Sequence, residues 1–322
     1  MTTKRFETKS GRIRLLHIGY QKTGTSSLQD CRYGHPRVRL TLGPACGRLL
    51  WHFMEAEDAG NLEDFENRLL DTAGIPSGYI PVLSWERLSG EMVTGRFWRR
   101  TAERVRRAFP AAKILITIRE QSTMVESIYS QYVKMGGSLS VKEFLSASGP
   151  FQGALFRRLK YDRLVGLYRE LFGPSRVFVV LYEDLCHDVT AFLGSIWRFA
   201  GWDGVPEPAA MGSRRVNPRL GTFSLLAARR LNSFFSPGDS GRSDKSGWLR
   251  VIRDEIARGG LDRPLRIPWR LPAGLRKELR KRFISSNGRL AGILGEEYAE
   301  KMARYGYALA ERRGDGKDVR CD

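Results

Sequence analysis

The chain has 322 residues, of which 42% are hydrophobic and 11% aromatic, so it can bury a sizeable core and is neither disordered nor fibrous. Its 54 lysines and arginines outnumber 35 acidic residues, and the resulting net charge of +19 indicates an anionic partner, such as nucleic acid, an anionic membrane or a small polyanion. The four cysteines form no C-x-x-C pair, which argues against a zinc site and fits a reducing compartment.

The first residues of the chain, Met1 to Arg14, are polar and basic and lack the apolar core of a signal peptide. Apolar runs such as residues 177–181 have the length of a strand, far below the ~20 residues that cross a bilayer. The sequence therefore predicts a cytoplasmic protein without a transmembrane segment, for which peripheral contact with a membrane surface stays open.

The first predicted strand, residues 13–18, opens directly into a glycine-rich loop, and a helix is predicted from Thr25 onward. Backbone amides in such a loop, together with the helix N-terminus, form a site for phosphate. Gly19 and Gly24 have the spacing of the nucleotide-binding sequence G-x-x-x-x-G-K-[ST]. However, Thr25 stands where that sequence has its lysine, and the loop's own lysine, Lys22, precedes Gly24 by two residues.

Strands and helices alternate along the rest of the chain. Further strands are predicted at residues 80–83, 113–118 and 176–181, and helices at 97–109, from the capping-box sequence Thr123–Glu126, at 157–172, 189–200 and 224–234, and from Leu271 onward. This alternation predicts an α/β fold, in which a parallel sheet carrying the phosphate-binding loop is flanked by helices on both faces. We expect a single domain over residues 1–322, with a mobile loop at 236–247 and a frayed basic tail at 312–322.

Polar residues follow two of the predicted strands. Glu86 comes after residues 80–83, and Arg119 comes directly after residues 113–118. Ligands of parallel sheets bind at the carboxyl ends of the strands, so both side chains are expected near the glycine-rich loop. Ser127 lies eight positions after Arg119 on the next predicted helix, and an arginine with a hydroxyl can converge on one phosphate.

The order of these motifs resembles the sulfotransferases that use 3′-phosphoadenosine-5′-phosphosulfate (PAPS). The run Lys22-Thr23-Gly24-Thr25-Ser26-Ser27 is similar to the family's motif for the 5′-phosphosulfate, and Arg119 with Ser127 is similar to its pair for the 3′-phosphate. Supporting likenesses are Tyr182-Glu183-Asp184-Leu185 after a strand, Arg215-Val216-Asn217-Pro218 before a helix, and Ser286-Asn287-x-x-Leu290 near the end.

The resemblance implies a sulfotransferase that uses PAPS as its donor and requires no metal. Residues 22–27, Arg119, Ser127 and Arg215 would bind PAPS, and Lys22 would also stabilise the charge that develops as the sulfuryl group departs. In cytosolic animal members a tryptophan that stacks on adenine follows the first motif; Ser27 stands here, so the adenine's partner is not identified. The likeness is therefore greater to bacterial and glycan-modifying members.

Transfer to a hydroxyl also requires a general base. Glu86 is the first candidate because its strand should end beside the donor, the alternative being that it pairs with Arg87 or another nearby arginine. His52 is the second candidate, although a histidine packed against a helix is the alternative interpretation. His17 lies within the first predicted strand and is expected in the core.

The acceptor is expected to be a hydroxyl of a bacterial carbohydrate or glycolipid, with small phenols and other metabolites as a second class. The positive charge would favour an acceptor that is already anionic, such as an acidic glycan. Two other functions stay open at this stage. One is a P-loop kinase or nucleotidase, against which Thr25 argues; the other is a basic nucleic-acid-binding protein, indicated by charge alone.

Overall fold

The structure is a computed structural model and describes residues 12–58, 60–91, 94–146, 153–207, 220–233, 255–256, 260–262 and 267–310. Arg215, the loop predicted at 236–247 and the tail predicted at 312–322 lie outside the described residues. No helix in the described ranges combines the length and the apolar character that a membrane-spanning helix requires.

A five-stranded parallel sheet organises the described part of the chain. Its strands are β1 (Leu15–His17), β2 (Val38–Leu40), β3 (Ile80–Ser84), β4 (Lys113–Ile118) and β5 (Val177–Leu181). They lie in the order β2-β3-β1-β4-β5, with every neighbouring pair parallel. β1 is the central strand, so the glycine-rich loop that follows it opens in the middle of the sheet's carboxyl edge.

Helices cover both faces of this sheet, as the sequence predicts. In chain order they are α1 (Thr25–Asp30), α2 (Pro44–Glu55), α3 (Phe65–Ala73), α4 (Trp98–Ala108), α5 (Gln121–Lys134), α6 (Val141–Leu145), α7 (Ala154–Arg158), α8 (Tyr161–Phe172), α9 (Tyr182–His187), α10 (Val189–Ala200), α11 (Thr222–Asn232), α12 (Ala273–Leu294) and α13 (Glu296–Arg304).

Alternate residues of the central strands enter two separate apolar cores. Leu16 and Ile114 pack into a core that includes side chains of α4, α5, α8 and α12. Leu15 and Leu115 point to the opposite face, where they join Phe192 and other side chains of α10. Because successive side chains of a strand alternate between faces, this division requires apolar residues on both sides of β1 and β4. The predicted α/β fold is confirmed.

Several elements differ from those predicted. The helix predicted from a capping box at Thr123 begins at Gln121, because the Glu120 carboxylate caps it by accepting from the Ser122 and Thr123 amides at 2.9 and 2.8 Å. The helix predicted at 157–172 is two helices, α7 and α8, separated where Lys160 has a non-helical ψ of 82°. The segment from β2 through α3 was not predicted at all.

Candidate active site

The segment that follows β1, residues 19–27, is called the glycine loop here. It first runs on beside β4, where the Tyr20 amide donates to the Thr117 carbonyl at 3.1 Å. A Cβ atom at Gly19 would lie 1.8 Å from the Thr117 hydroxyl, so only glycine fits this close approach. Thr23 is fully buried and its hydroxyl contacts the Tyr20 carbonyl and, at 2.6 Å, the Thr117 hydroxyl. The Thr23 side chain therefore holds the loop against the ends of β1 and β4.

Gly24 makes the turn from the loop into α1. Its φ of 84° lies in the left-handed region, and a Cβ atom there would come within 2.7 Å of Leu185 Cδ2 and 3.3 Å of the Tyr182 ring. Of the residues that follow in the predicted donor motif, Thr25 is buried, Ser26 is exposed and Ser27 is half-buried. The turn thus depends on glycine for two independent reasons.

Substituting Gly24 by alanine is expected to lower the free energy of unfolding by about 1–2 kcal/mol, the cost of a left-handed residue with a Cβ. Gly194→Ala is the matched control: Gly194 lies within α10, and a Cβ there meets no atom within 4 Å. That control should instead stabilise the protein, because alanine is the better helix former. Urea denaturation of both variants measures the difference, and equal stabilities would contradict the role assigned to Gly24.

Lys22 has a φ of 69°, an unfavourable left-handed conformation for a residue with a side chain. Its ammonium donates a 2.7 Å hydrogen bond to Gln131 Oε1 on α5. Burial lowers the pKa of Lys22, the Glu86 carboxylate opposes that shift, and the Arg119 guanidinium adds to it. The ammonium is therefore held in a partly dehydrated position between the loop and α5.

Arg119 joins the end of β4 to the glycine loop. Its Nη1 donates to the Lys22 carbonyl at 3.0 Å, and its Nε donates to the Thr123 hydroxyl at 3.0 Å. The guanidinium also lies over the Tyr182 ring, 4.4 Å from its centroid. Ser127 is buried one helical turn beyond Thr123, so its hydroxyl shares the same face of α5. Arg119 Nη2 has no hydrogen bond to any of the described residues.

Glu86 begins a 3-10 turn, Glu86–Ser89, directly after β3. The turn lies beside the end of β1, because the Trp85 amide donates to the His17 carbonyl at 3.0 Å. Burial raises the pKa of Glu86, while the Thr25 hydroxyl and then Lys22 lower it. The Thr25 hydroxyl is itself buried beside this carboxyl and completes no hydrogen bond of normal length within the described residues.

Glu86 forms no direct ion pair with Arg87, although Arg87 and Arg158 both help to lower the pKa of its carboxyl. The Arg87 guanidinium lies over the Trp51 ring instead, 4.9 Å from its centroid. The residues on either side of Glu86, Trp85 and Arg87, line a wide pocket of about 680 Å³ together with Trp51 and His52, and it is called the aromatic pocket here. His52 is exposed on α2 and lines this pocket, whereas Glu86 itself does not line it.

His17 lies in the core, as expected. It is fully buried, and its ring nitrogens contact the hydroxyls of Tyr33 at 2.7 Å, Ser84 at 3.1 Å and Thr117 at 3.1 Å. Burial lowers the pKa of His17 to about 3, so the ring is neutral at physiological pH. Its contacts tie β1 to both neighbouring strands just before the glycine loop.

The segment after β5 and the helix α12 both stabilise the residues that follow Arg119. Glu183 Oε1 accepts from the Glu120 amide at 2.9 Å, and its other oxygen accepts from the Tyr307 hydroxyl at 3.1 Å. Asn287 of α12 exchanges side-chain hydrogen bonds with Gln121, the first residue of α5, at 2.6 and 3.2 Å. Both segments singled out in the sequence therefore fix the start of α5, which carries Ser127.

Arg158 is a residue that the sequence did not single out. It is buried at the end of α7 and donates to the Ser89 carbonyl at 2.6 Å and to Gln21 Oε1 at 2.8 Å. Gln21 precedes Lys22, and Ser89 ends the turn that Glu86 begins, so one guanidinium clamps both segments of the site. In the sequence it lies in the basic run Arg157-Arg158-Leu159-Lys160, which has the composition of an ordinary solvated helix face.

The sheet and the glycine loop define an α/β protein whose cationic and hydroxyl groups converge where the central strand ends. Residues 97–207 match the model of the sulfotransferase family. That segment contains β4, Arg119, Ser127 and β5, so the resemblance predicted from the motifs is confirmed there. No curated protein matches the sequence of the chain.

Solved sulfotransferase structures are similar to this chain. One from Alicyclobacillus acidocaldarius is 22% identical, with a TM-score of 0.49 over 76% of this chain and 95% of that one. The mouse sulfotransferase SULT7A1 in complex with PAP is 16% identical, with a TM-score of 0.42 over 91% of this chain and 90% of that one. The sulfotransferase STF9 from Mycobacterium avium is 14% identical, with a TM-score of 0.43 over 72% and 79%.

Proposed function

We propose that this protein transfers the sulfuryl group of PAPS to a hydroxyl group of an acceptor, which we take to be a bacterial carbohydrate or glycolipid. The observation that carries the proposal is the hydrogen bond from Arg119 to the Lys22 carbonyl. This bond holds Arg119, at the end of β4, against the backbone of Lys22 in the glycine loop. The Lys22 ammonium is in turn close enough to the Arg119 guanidinium and the Glu86 carboxyl for both to affect its pKa.

The groups present suit a donor with two separate phosphates. The glycine loop offers backbone amides and the hydroxyls of residues 25–27, of which the Thr25 hydroxyl is buried without a full hydrogen bond. Arg119 keeps Nη2 for a second phosphate, and the Ser127 hydroxyl lies on the same side of α5. Arginine and hydroxyl donors suit such a phosphate because charge-assisted hydrogen bonds are strong and directional.

The same residues can carry the transfer itself. PAPS supplies a sulfuryl group bonded through oxygen to its 5′-phosphate. The Glu86 carboxylate takes the proton of the acceptor hydroxyl as the acceptor oxygen bonds to sulfur. The Lys22 ammonium stabilises the negative charge that remains on the phosphate oxygen when its bond to sulfur breaks. Burial raises the pKa of Glu86 and lowers that of Lys22, which makes the first a better base and the second a better acid.

The wide pocket beside Glu86 suits the body of the acceptor. Trp51, more than a third exposed, and Trp85 offer aromatic faces on which a sugar ring or another apolar group can lie. Arg48 and Arg87 add positive charge to the same pocket. His52 lines it as well and stays the second candidate for the general base.

Donor binding tests the proposal. Wild-type protein is expected to bind adenosine 3′,5′-bisphosphate without magnesium, and Arg119→Gln should weaken this binding by about 10- to 150-fold, because charge-assisted hydrogen bonds contribute about 1.5–3 kcal/mol. Arg107→Gln, an exposed arginine on α4, is the control and should bind normally. Isothermal titration measures the affinities, and transfer of ³⁵S from labelled PAPS to cell-envelope extracts then identifies the acceptor class.

The same titrations distinguish the proposed function from the two other functions that the sequence leaves open. A kinase or nucleotidase would prefer ATP with magnesium over the bisphosphate. A nucleic-acid-binding protein would bind polymer DNA or RNA with an affinity that falls steeply with salt. Either result, together with failure to bind the bisphosphate, would overturn the proposed function.

A further inference from the structure

Three polar residues follow one another on α5 at intervals of four positions. Thr123 accepts from Arg119 Nε at 3.0 Å, and Ser127 follows one turn later. After a further turn, Gln131 Oε1 accepts from the Lys22 ammonium at 2.7 Å. Residues four apart are neighbours on the surface of a helix, so this face of α5 places the ammonium in line with Ser127. Gln131 belongs to none of the family motifs found in the sequence.

Both ends of Lys22 are held by residues that follow β4 in the chain. Its carbonyl accepts from Arg119 at 3.0 Å, which holds a backbone whose φ of 69° is unfavourable for lysine. Its ammonium is held by Gln131, and both side chains are half-buried. Lysine has a flexible four-carbon stem, so an ammonium without a partner would sample many positions. The hydrogen bond to Gln131 therefore selects a side-chain position that the bond from Arg119 alone leaves undetermined.

The acceptor that Gln131 offers is neutral. No ion pair joins Lys22 to Glu86, or to any other acid among the residues that the structure describes. An amide oxygen gives the ammonium a direction and takes one of its three N–H donors, but it does not cancel the positive charge. A carboxylate in contact would cancel much of it. Positive charge at a fixed position is what stabilises an oxyanion as it forms.

The charges that act on the ammonium come from elements other than α5. Glu86 lies in the turn after β3 and Arg119 at the end of β4, and they shift the pKa of Lys22 in opposite directions. The two charged residues of α5 are Glu126, whose carboxylate is bound by two arginines, and Lys134 in the last turn. The helix therefore contributes a hydrogen bond to Lys22 and no ion pair.

We propose that Gln131 is a positioning residue for sulfuryl transfer, whose neutral amide oxygen holds the Lys22 ammonium in line with Ser127 with its charge intact. This inference rests on the proposed function and adds to it a residue that acts through Lys22, without contact with the acceptor. A misplacement of ~1 Å can cost ~10² in rate, so the contribution of Gln131 is expected in kcat more than in donor affinity.

The first test measures the contact without turnover. Competitive acetylation of donor-free protein over a range of pH, with the Lys22 peptide quantified by mass spectrometry, gives the pKa of the ammonium. Gln131→Glu should raise this pKa because a carboxylate favours the charged form, and Gln131→Met should lower it because a hydrogen bond to that form is lost. Asn67→Asp, which also exchanges an amide for a carboxylate but is exposed on α3, should leave it unchanged. The same Lys22 pKa in all four proteins would overturn the inference.

The second test measures the consequence for catalysis. In single-turnover transfer from ³⁵S-labelled PAPS, Gln131→Met should lower kcat by about 10- to 100-fold, with affinity for adenosine 3′,5′-bisphosphate within about threefold of wild type. The double variant Lys22→Met/Gln131→Met should have the kcat of Lys22→Met alone, because Gln131 acts through the lysine. Losses that multiply in the double variant would make Gln131 independent of Lys22 and would contradict the positioning role.

The two tests separate this inference from the proposed function. If wild type neither binds the bisphosphate nor transfers the sulfuryl group of PAPS, the proposed function fails and the positioning role fails with it. If wild type does both while Gln131→Met keeps wild-type kcat, this inference alone fails, even where acetylation shows the contact. A basic limb of the pH profile that moves to higher pH in Gln131→Glu, together with the loss of kcat in Gln131→Met, would support both.

Discussion

Glu86→Gln is expected to lower kcat for sulfuryl transfer by about 10²–10⁴, the usual contribution of a general base. Glutamine keeps the size of the side chain but cannot accept the acceptor's proton. Affinity for adenosine 3′,5′-bisphosphate should stay within about twofold, because Glu86 is not one of the donor-binding residues. Single-turnover ³⁵S transfer at saturating PAPS measures the effect, with the exposed residue Glu103 of α4, changed to glutamine, as control.

The pH profile gives this prediction a second readout. Glu86 acts as a base only when ionised, and burial raises its pKa, so activity should rise with pH through a range above that of an ordinary carboxyl. Lys22 acts only when protonated, and burial lowers its pKa, so activity should fall at a pH below that of an ordinary lysine. The profile is therefore bell-shaped and narrowed from both sides, and Glu86→Gln should remove its acidic limb.

His52→Ala separates the two candidate bases. If Glu86 is the base, His52→Ala should change acceptor KM through the aromatic pocket more than it changes kcat. A tenfold or larger loss of kcat in His52→Ala, with near-normal kcat in Glu86→Gln, would transfer the role to His52. If neither variant loses tenfold, the base lies elsewhere.

Four of the five strands, β1, β3, β4 and β5, could be predicted because they are continuous apolar runs followed by polar residues at the carboxyl end. Lys113–Ile118 followed by Arg119 is such a run, and both faces of β4 are indeed buried. The position of Arg119 against the glycine loop then follows from the parallel order of β1 and β4. Here local pattern and tertiary structure agree, so sequence reasoning succeeds.

The edge of the sheet formed by β2 could not be predicted in the same way. β2 has three residues, Val38–Leu40, and only Val38 is buried, so neither alternation nor an apolar run marks it. The helix α2 begins at Pro44 and carries Trp51 and His52 toward solvent, which blurs its amphipathic pattern. Because residues of α2 line the aromatic pocket, a sequence that does not mark α2 gives no indication of where this pocket lies.

Arg158 shows a different limit of prediction from the sequence alone. One cation among 54 gives no local signal, and its role depends on the break between α7 and α8, which turns the end of α7 toward Ser89 and Gln21. The overall charge did predict an anionic partner. Only the fold shows that five of these cations line one cavity together with Ser89, the last residue of the Glu86–Ser89 turn.

Lys22→Met is expected to lower kcat by about 10²–10³, the cost of removing one preorganised group that stabilises charge in the transition state. Methionine keeps the length of the side chain, so loss of packing is small. The bond from the Arg119 side chain involves only the backbone carbonyl of Lys22 and should survive, which keeps the glycine loop in place. Binding of the bisphosphate, which lacks the sulfuryl group, should weaken much less than kcat falls.

Lys142→Met, an exposed lysine on α6, controls for the loss of one positive charge and should retain wild-type kcat. Near-normal turnover in Lys22→Met would remove the ammonium from the mechanism. Equal losses of kcat and bisphosphate affinity would instead make Lys22 a donor-binding residue only.

The lowered pKa of Lys22 predicts one more difference: Lys22→Arg, whose guanidinium stays charged, should lose the basic limb of the pH profile even where its activity is low. A basic limb that persists in Lys22→Arg must come from another group.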